Sequence, residues 1–271
     1  MYKLKLGKSV PIRDPNFYEI IAEMKALGFD AADMDFCQGG YIYSEEDGAE
    51  AEKRLDALKD SGLFFNGVHI PYGKRGSDIS DTDEENRLYS IDCIKKLISF
   101  VDRYNPKCYI LHGSWEPIMD SERAAHMENM IRSINELQSF TDTPIALENL
   151  PRTCMLNTVA EVLEVAKKRI KPYFCIDVNH FLRDIPHEAV AAIAKYAITT
   201  HISDYDLVFE QHWLPTENKY ARIDWNKLIG ALENAGYNGV FNYEVKASCY
   251  RDLRHMKENY EMLFAAYNAQ K

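Results

Sequence analysis

The sequence predicts a closed (β/α)₈ barrel (a TIM barrel), an α/β fold, and three observations lead there. Eight short runs rich in β-branched and aromatic residues alternate with eight stretches of helical period. Strand–helix–strand repetition of this kind implies parallel pairing through right-handed crossovers. The length of 271 residues suits the roughly 250 that one such barrel needs. The competing open, doubly wound sheet would carry a Gly-x-Gly-x-x-Gly turn after its first strand, and none is there. No linker rich in Pro, Gly or Ser interrupts the pattern, so residues 1–271 are expected to form a single domain.

The elements follow in order. The first strand candidate, Lys3–Leu6, alternates Lys-Leu-Lys-Leu and leads to the helix candidate Phe17–Leu27. There Ile20, Ile21, Met24 and Leu27 recur at amphipathic spacing, and Gly28 supplies the stop. Ala31–Phe36 is followed by Glu45–Ser61, ended by Gly62. Phe64–His69 precedes Glu84–Tyr104, and Cys108–His112 precedes Ser121–Phe140. Ile145–Asn149 leads to Thr158–Lys168, with Asn157 or Thr158 as the cap. Phe174–Val178 pairs with His187–Tyr196, and Ile198–Ile202 with Trp225–Ala235, which Gly236 closes. Val240–Val245 and Arg251–Ala269 complete the series.

Composition narrows the function. Hydrophobic residues at 46% and charged residues at 27% exclude intrinsic disorder. A formal charge of −10 argues against a broad basic face for nonspecific nucleic-acid or membrane binding. No apolar run approaches the roughly 18 residues of a membrane helix, and the N-terminus runs straight into a strand-like segment. Six cysteines without a Cys-x-x-Cys pair read as reduced thiols packed as small hydrophobes in a cytoplasmic protein.

In a barrel of this type the chemistry sits at the C-terminal ends of the strands, where the histidines concentrate. His69, His112, His180 and His201 fall at or just beyond the ends of strand candidates 3, 4, 6 and 7, and His212 lies in the loop after the seventh. Only His126, His187 and His255 lie in helix candidates. Glu148, Asp177 and Glu244 end strands 5, 6 and 8, and Asp204 and Glu210 follow strand 7. Carboxylates inside apolar strands are costly to bury unless paired or coordinated. Glu148, Asp177 and Glu244 can converge on one axial point with His201, giving an oxygen and nitrogen donor set without thiolate. Such a set suits one divalent Mn, Mg, Co or Zn ion. Asp204 reads as an outer or loop residue. Phe36, Tyr72, Trp115, Asn149, Arg152 and Trp213 are candidates for the substrate pocket.

These residues resemble the xylose isomerase-like barrel superfamily, which joins sugar isomerases and epimerases to endonuclease IV. The resemblance covers essentially the whole chain. It rests on Val68-His69-Ile70-Pro71-Tyr72, Leu111-His112-Gly113-Ser114, Leu147-Glu148-Asn149 and Asp177-Val178-Asn179-His180. His201-Ile202-Ser203-Asp204, Glu210-Gln211-His212, Arg222-Ile223-Asp224-Trp225 and Glu244 continue it. Each motif alone is weak; their order and spacing together are specific. The isomerase and epimerase branch implies one divalent metal held by Glu148, Asp177, His201 and Glu244. It implies Glu148 and Glu244 as the catalytic acid and base on either side of a sugar C–H, with His180 holding substrate oxygens.

The endonuclease IV branch implies up to three zinc ions on His69, His112, Glu148, Asp177, His180, His201, Glu210, His212 and Glu244, and phosphodiester cleavage at abasic DNA. Two departures disfavour it. Phe36-Cys37-Gln38-Gly39-Gly40 has no DNA-probing arginine, and Thr216-Glu217-Asn218-Lys219-Tyr220 replaces the usual Gly-x-Gly turn. Lys74 and Arg75 are the only cations on the presumed rim, and they suit a phosphorylated sugar as well as DNA. A non-catalytic carbohydrate-binding barrel is a third reading, which the Glu148/Glu244 pair opposes. The expected partner is therefore a small carbohydrate, and the C-terminal helix with Tyr250, Tyr260 and Tyr267 is a candidate surface for homo-oligomerisation.

Overall fold

The computed structural model describes residues 1–37 and 45–271, and its eight parallel strands close into a barrel in chain order. The first half runs β1 (Lys5–Pro11), α1 (Phe17–Leu27), β2 (Ala31–Asp35), α2 (Glu45–Ser61), β3 (Phe64–His69), α3 (Glu84–Val101), β4 (Cys108–His112) and α4 (Arg123–Phe140). The second runs β5 (Ile145–Glu148), α5 (Val159–Lys168), β6 (Phe174–Asp177), α6 (Pro186–Ile193), β7 (Ala197–Ile202), α7 (Trp225–Asn234), β8 (Val240–Tyr243) and α8 (Leu253–Asn268). Short 3₁₀ turns, Asp102–Tyr104 and Ala194–Tyr196, form the tails of the two predicted helices that are longer than α3 and α6.

The period-2 alternation of strand side chains builds two cores. Outward-facing residues such as Met34, Val68, Leu147 and Phe241 join the helices in the main apolar layer. Inside the barrel, Cys108, Ile110, Ala146 and Cys175 form a small plug. Ile110, Ala146 and Cys175 each lie two residues before His112, Glu148 and Asp177. The same inner face therefore carries an apolar floor and, one step up, polar side chains.

Helix ends follow the sequence signals. Gly28, Gly62 and Gly236 have φ of 79°, 71° and 73°, the left-handed conformation that ends a helix without a Cβ penalty. Thr158, rather than Asn157, caps α5, its Oγ1 accepting from Glu161 N at 3.3 Å.

Two expectations need correction. The first strand lies further along the chain than Lys3–Leu6, because the residues that pair are Gly7–Pro11 with β2 and Lys5–Lys8 with β8. Gly7 and Ser9 are poor strand formers by propensity. Gly7 is nevertheless required at the closing seam, since a Cβ there would meet Val240 Cγ1 at 2.5 Å. The tyrosines of the C-terminal segment do not make an exposed patch. Tyr260 is buried and donates to the Leu4 carbonyl, and the half-buried Tyr267 donates to Glu233. Tyr250 lies under Lys8 Nζ, 5.9 Å from the ring centroid.

The long β7–α7 connection is organised by one buried carboxylate. Asp204, 1% exposed, forms an antiparallel bridge with Trp213 through N···O distances of 2.8 and 3.0 Å. Its side chain accepts from Trp225 Nε1 at 2.7 Å, Thr216 N at 3.1 Å and Tyr205 N at 2.8 Å. Arg222 N and Ile223 N add two longer contacts of 3.3 Å. Asp204 is thus a structural residue of this loop. Removing it would strand several buried donors at about 1–3 kcal/mol each before relaxation. Asp204→Ala is therefore expected to lower the unfolding free energy by about 3 kcal/mol or more, measured by urea denaturation. A loss under about 1 kcal/mol would contradict this role.

Candidate metal centre

The nine donor residues expected from the sequence meet at the C-terminal mouth of the barrel. His69, His112, Glu148, Asp177 and His201 project inward from β3 to β7. Glu244 follows β8 directly, and His180 sits in the 3₁₀ turn Val178–His180. Glu210 and His212 come from the loop that Asp204 organises. Glu148, Asp177 and His201 are at most 1% exposed.

Glu148 lies at the centre. Its Oε1 is 3.4 Å from His201 Nδ1 and from His180 Nδ1, and its Oε2 is 3.3 Å from His69 Nε2 and 3.4 Å from His112 Nε2. Glu244 Oε2 is 2.9 Å from His201 Nδ1. On the far side Asp177 Oδ2 is 3.4 Å and Glu210 Oε1 3.6 Å from His180 Nε2, and His212 Nε2 is 3.0 Å from Glu210 Oε1. Most of these gaps are long for charge-assisted hydrogen bonds. They match donors that share an ion: two ligands each about 2.1 Å from one cation, at tetrahedral or octahedral angles, lie about 3.0–3.4 Å apart.

Two further observations fit a cation. Glu148 Oε2 and Asp177 Oδ2 are buried without a hydrogen-bond partner, and Glu244 Oε2, though 2.9 Å from His201 Nδ1, is not aligned with it as a hydrogen bond, which is costly unless something positive fills the space. The histidines are also oriented as ligands. His69 Nδ1 lies 3.0 Å from Ile70 O, His180 Nδ1 2.8 Å from Asn149 O and His212 Nδ1 3.1 Å from Glu244 O. Donating Nδ1–H to a main-chain carbonyl leaves the Nε2 lone pair facing the carboxylates, the arrangement that fixes a metal-binding tautomer.

Electrostatics at the mouth show carboxylates and imidazoles competing for protons. Burial disfavours the Glu148 anion, but His201 and His112 outweigh it and hold its carboxyl well below the usual range. Burial likewise opposes ionisation of Glu244, and His201 overcomes it. Asp177 goes the other way, pushed up to about 7 by burial and by the Glu244 and Glu148 charges, against the pull of His180. Burial opposes protonation of His180, yet Asp177 and Glu210 raise it to about 10. For His112 burial prevails over the Glu148 charge, and its proton is held less tightly than usual.

Above the donors lies a cavity of about 170 Å³, small enough for a monosaccharide-sized ligand. Tyr72, Trp115 and Arg152, all expected there, line it together with Ser114, Glu116 and Cys154. Tyr72 stacks on His112 at 4.7 Å and 17°. Arg152 Nε donates to Glu116 at 2.7 Å and its Nη1 pairs with Glu210, tying together the loops after β4, β5 and β7. Its backbone is left-handed, φ 55°, and its carbonyl accepts from Asn157 Nδ2 at 2.6 Å.

Three expected pocket residues are elsewhere. Phe36 continues the outward face of β2, after Ala32 and Met34, and is buried in the main core. Asn149 clamps β5 to β6, donating to Asp177 O and accepting from Asp177 N, both at 2.9 Å. Trp213 is half-buried and serves the bridge to Asp204. Gln38–Gly40 lie outside the described residues. Lys74 and Arg75 do not line the cavity, and Arg75 lies over Tyr89, 5.6 Å from its ring centroid.

The inner face of β2 supplies groups that the sequence reading missed. Asp33 and Asp35 alternate into the barrel, and Cys37 Sγ lies 3.0 Å from His69 Nδ1. Burial pushes the Cys37 thiol up to about 12. Cys37 is thus more than a packed hydrophobe, whereas Cys108, Cys154 and Cys175 are buried thiols. Two carboxylates at i and i+2 in Asp33-Met34-Asp35 were the available signal.

Comparison with known proteins agrees with this fold. The family model described as "Xylose isomerase-like TIM barrel" matches residues 21–266. Among solved structures, a D-psicose 3-epimerase in the presence of D-fructose aligns over 97% of both chains, with a TM-score of 0.75 and 20% identity. A 3-keto-D-glucoside 4-epimerase from E. coli aligns over 97% of this chain and 100% of its own, with a TM-score of 0.75 and 19% identity. A D-psicose 3-epimerase with D-tagatose from Clostridium cellulolyticum H10 aligns over 98% and 99%, with a TM-score of 0.77 and 16% identity. At such identities the likeness is one of fold. No curated protein matches in sequence. With the family model covering most of its length, the chain belongs to the xylose isomerase-like TIM barrel family.

Proposed function

We propose that this protein is a metal-dependent isomerase or epimerase of a sugar or sugar phosphate. One observation carries the reading: Glu148 at the end of β5 and Glu244 just after β8 both reach Nδ1 of the same histidine, His201, beside a small cavity that both line. Structural neighbours that are named as sugar epimerases support the substrate class.

In this reading Glu148, Asp177, His201 and Glu244 hold the ion. A divalent cation would supply Lewis-acid stabilisation of the oxyanion that develops when a proton is lost next to a carbonyl. Glu148 and Glu244 take and return that proton at the substrate carbon. His180, 5% exposed, offers Nε2 toward the substrate oxygens. Tyr72 and Trp115 give the sugar an aromatic wall, and Arg152 reads its distal end. Assembly into a homo-oligomer is part of the proposal. A reducing, cytoplasmic setting is proposed from the six free thiols; among the described residues no helix is long and apolar enough to cross a membrane.

A second reading, a phosphodiesterase with up to three zinc ions, is favoured by one observation. His69/His112/Glu148 and Asp177/His180/His212 form two additional donor groups. Against it, Arg152 is the one Lys or Arg among the described residues lining the cavity, and it is already paired with two carboxylates. Duplex binding needs several phosphate contacts.

Three measurements test these readings. Elemental analysis of protein purified without chelators is expected to find about one Mn, Mg, Co or Zn per chain. Close to three zinc ions, with cleavage of an abasic oligonucleotide, would reverse the ranking. Because Asp177 holds its proton near neutrality, loading must release it, so affinity rises with pH. Competition with a chromophoric chelator should give about tenfold tighter binding at pH 8 than at pH 6, and equal affinities would contradict the donor assignment. With ketoses and aldoses in D₂O, the wild type should incorporate deuterium beside the carbonyl. Glu148→Gln should lower that rate by about 10²–10⁴-fold with its circular dichroism unchanged. A variant that exchanges normally would remove Glu148 from the reaction.

A further inference from the structure

His201 is oriented opposite to the other histidines of the site. Its Nδ1 faces Glu244 and Glu148, so Nδ1 is the nitrogen that would meet the ion, and Nε2 points down into the barrel. There it faces Asp33 Oδ2 at 3.5 Å. Both atoms are buried, and neither makes a hydrogen bond, so each is left facing the other. Asp33 and His201 are themselves fully buried. The other oxygen, Asp33 Oδ1, accepts from Asn66 Nδ2 at 2.6 Å, and the same Nδ2 donates to Thr199 Oγ1 at 2.8 Å. Gly67 makes room for this carboxylate: a Cβ there would stand 3.1 Å from Asp33 Cγ and Oδ1.

We infer that Asp33 is a positioning residue that sets the tautomer of His201 for metal binding. This rests on the metal-centre reading above. A histidine that offers Nδ1 as a ligand must carry its proton on Nε2, and a buried Nε2–H needs an acceptor. The acceptor here is Asp33 Oδ2. It cannot turn away, because Oδ1 is held by Asn66, whose Nδ2 is in turn committed to two partners. Carboxylate–histidine–metal relays of this kind orient the ligand and raise its basicity. Asp33 touches neither ion nor substrate in this arrangement; it acts through His201.

The hydrogen-bond directions give a test that a packing role would not pass. In Asp33→Asn, the new amide keeps its oxygen toward Asn66 Nδ2 and turns its NH₂ toward His201 Nε2. The imidazole must then accept at Nε2 and carry its proton on Nδ1, where it blocks the ion. Rotating the Asn66 amide instead would strand an Nδ2 that now donates twice. In the double variant Asp33→Asn/Asn66→Asp the directions reverse. The carboxylate introduced at position 66 accepts from the amide introduced at position 33, whose oxygen again faces His201 Nε2–H.

Zinc affinity by chelator competition and ¹⁵N histidine spectra of the metal-free protein at alkaline pH read this out. Expected are a roughly 10- to 100-fold weaker affinity and an Nδ1–H tautomer in Asp33→Asn, with both largely restored in the double variant. Thermal unfolding of the metal-free variants checks that the fold is kept. Affinity within about twofold of wild type, or a folded double variant that restores neither signal, overturns the role of Asp33. A wild-type protein that takes up no divalent ion would overturn the metal-centre reading instead, and the two failures are distinguishable.

Discussion

The mouth of this barrel depends on keeping Glu148 ionised where water cannot solvate it. A carboxylate at 1% exposure is tolerable only because imidazoles from β3, β4 and β7 surround it. That of His69 faces it because a main-chain carbonyl holds its other nitrogen, and that of His201 because its other nitrogen lies against Asp33. The network also needs room, and Gly67 provides it beside Asp33. Removing Glu148 would leave several oriented histidines without the charge they were arranged around.

The same constraint explains the two-storey barrel. An apolar plug of Cys108, Ile110, Ala146 and Cys175 fills the lower interior. It keeps the polar layer in a low-dielectric setting, where charge–charge terms are strong. Asp33, Asn66 and Thr199 form the boundary between the storeys. Their hydrogen bonds satisfy part of what they bury; Asp33 Oδ2 is left over and faces the histidine above, and Asn66 Oδ1 is buried without a partner.

Most of the fold was legible in the sequence because its signal is repetitive. Eight strands and helices, punctuated by Gly28, Gly62 and Gly236, can be read from periodicity alone, and only β1 was displaced. Its boundary depends on which residues pair at the closing seam, a tertiary fact absent from the local pattern. Most of the donors were legible for a related reason: polar residues at or just beyond the ends of apolar strands stand out, whereas Glu210 and His212, in the loop after β7, joined the set through the family resemblance. What escaped was orientation. Phe36 differs from Asp35 by one step of the pleat and so lies in the other core, and Asn149 is used between strands rather than toward a ligand. Asp33 escaped although it obeys the rule that found Glu148, because it sits one layer lower, where a strand end no longer marks it.

Arg152 joins three loops that come from separate βα units of the chain. Its pairs with Glu116 and Glu210 mean that the wall of the cavity and one of the deeper donors share a single guanidinium. In evolutionary terms the rim is not a set of interchangeable modules. A change at Glu116 alters the charge balance felt by Glu210 and, through it, by His212 and His180, so the effect of one rim substitution depends on the residues at the other two. Such epistasis favours paths in which the substrate wall and the donor set change together.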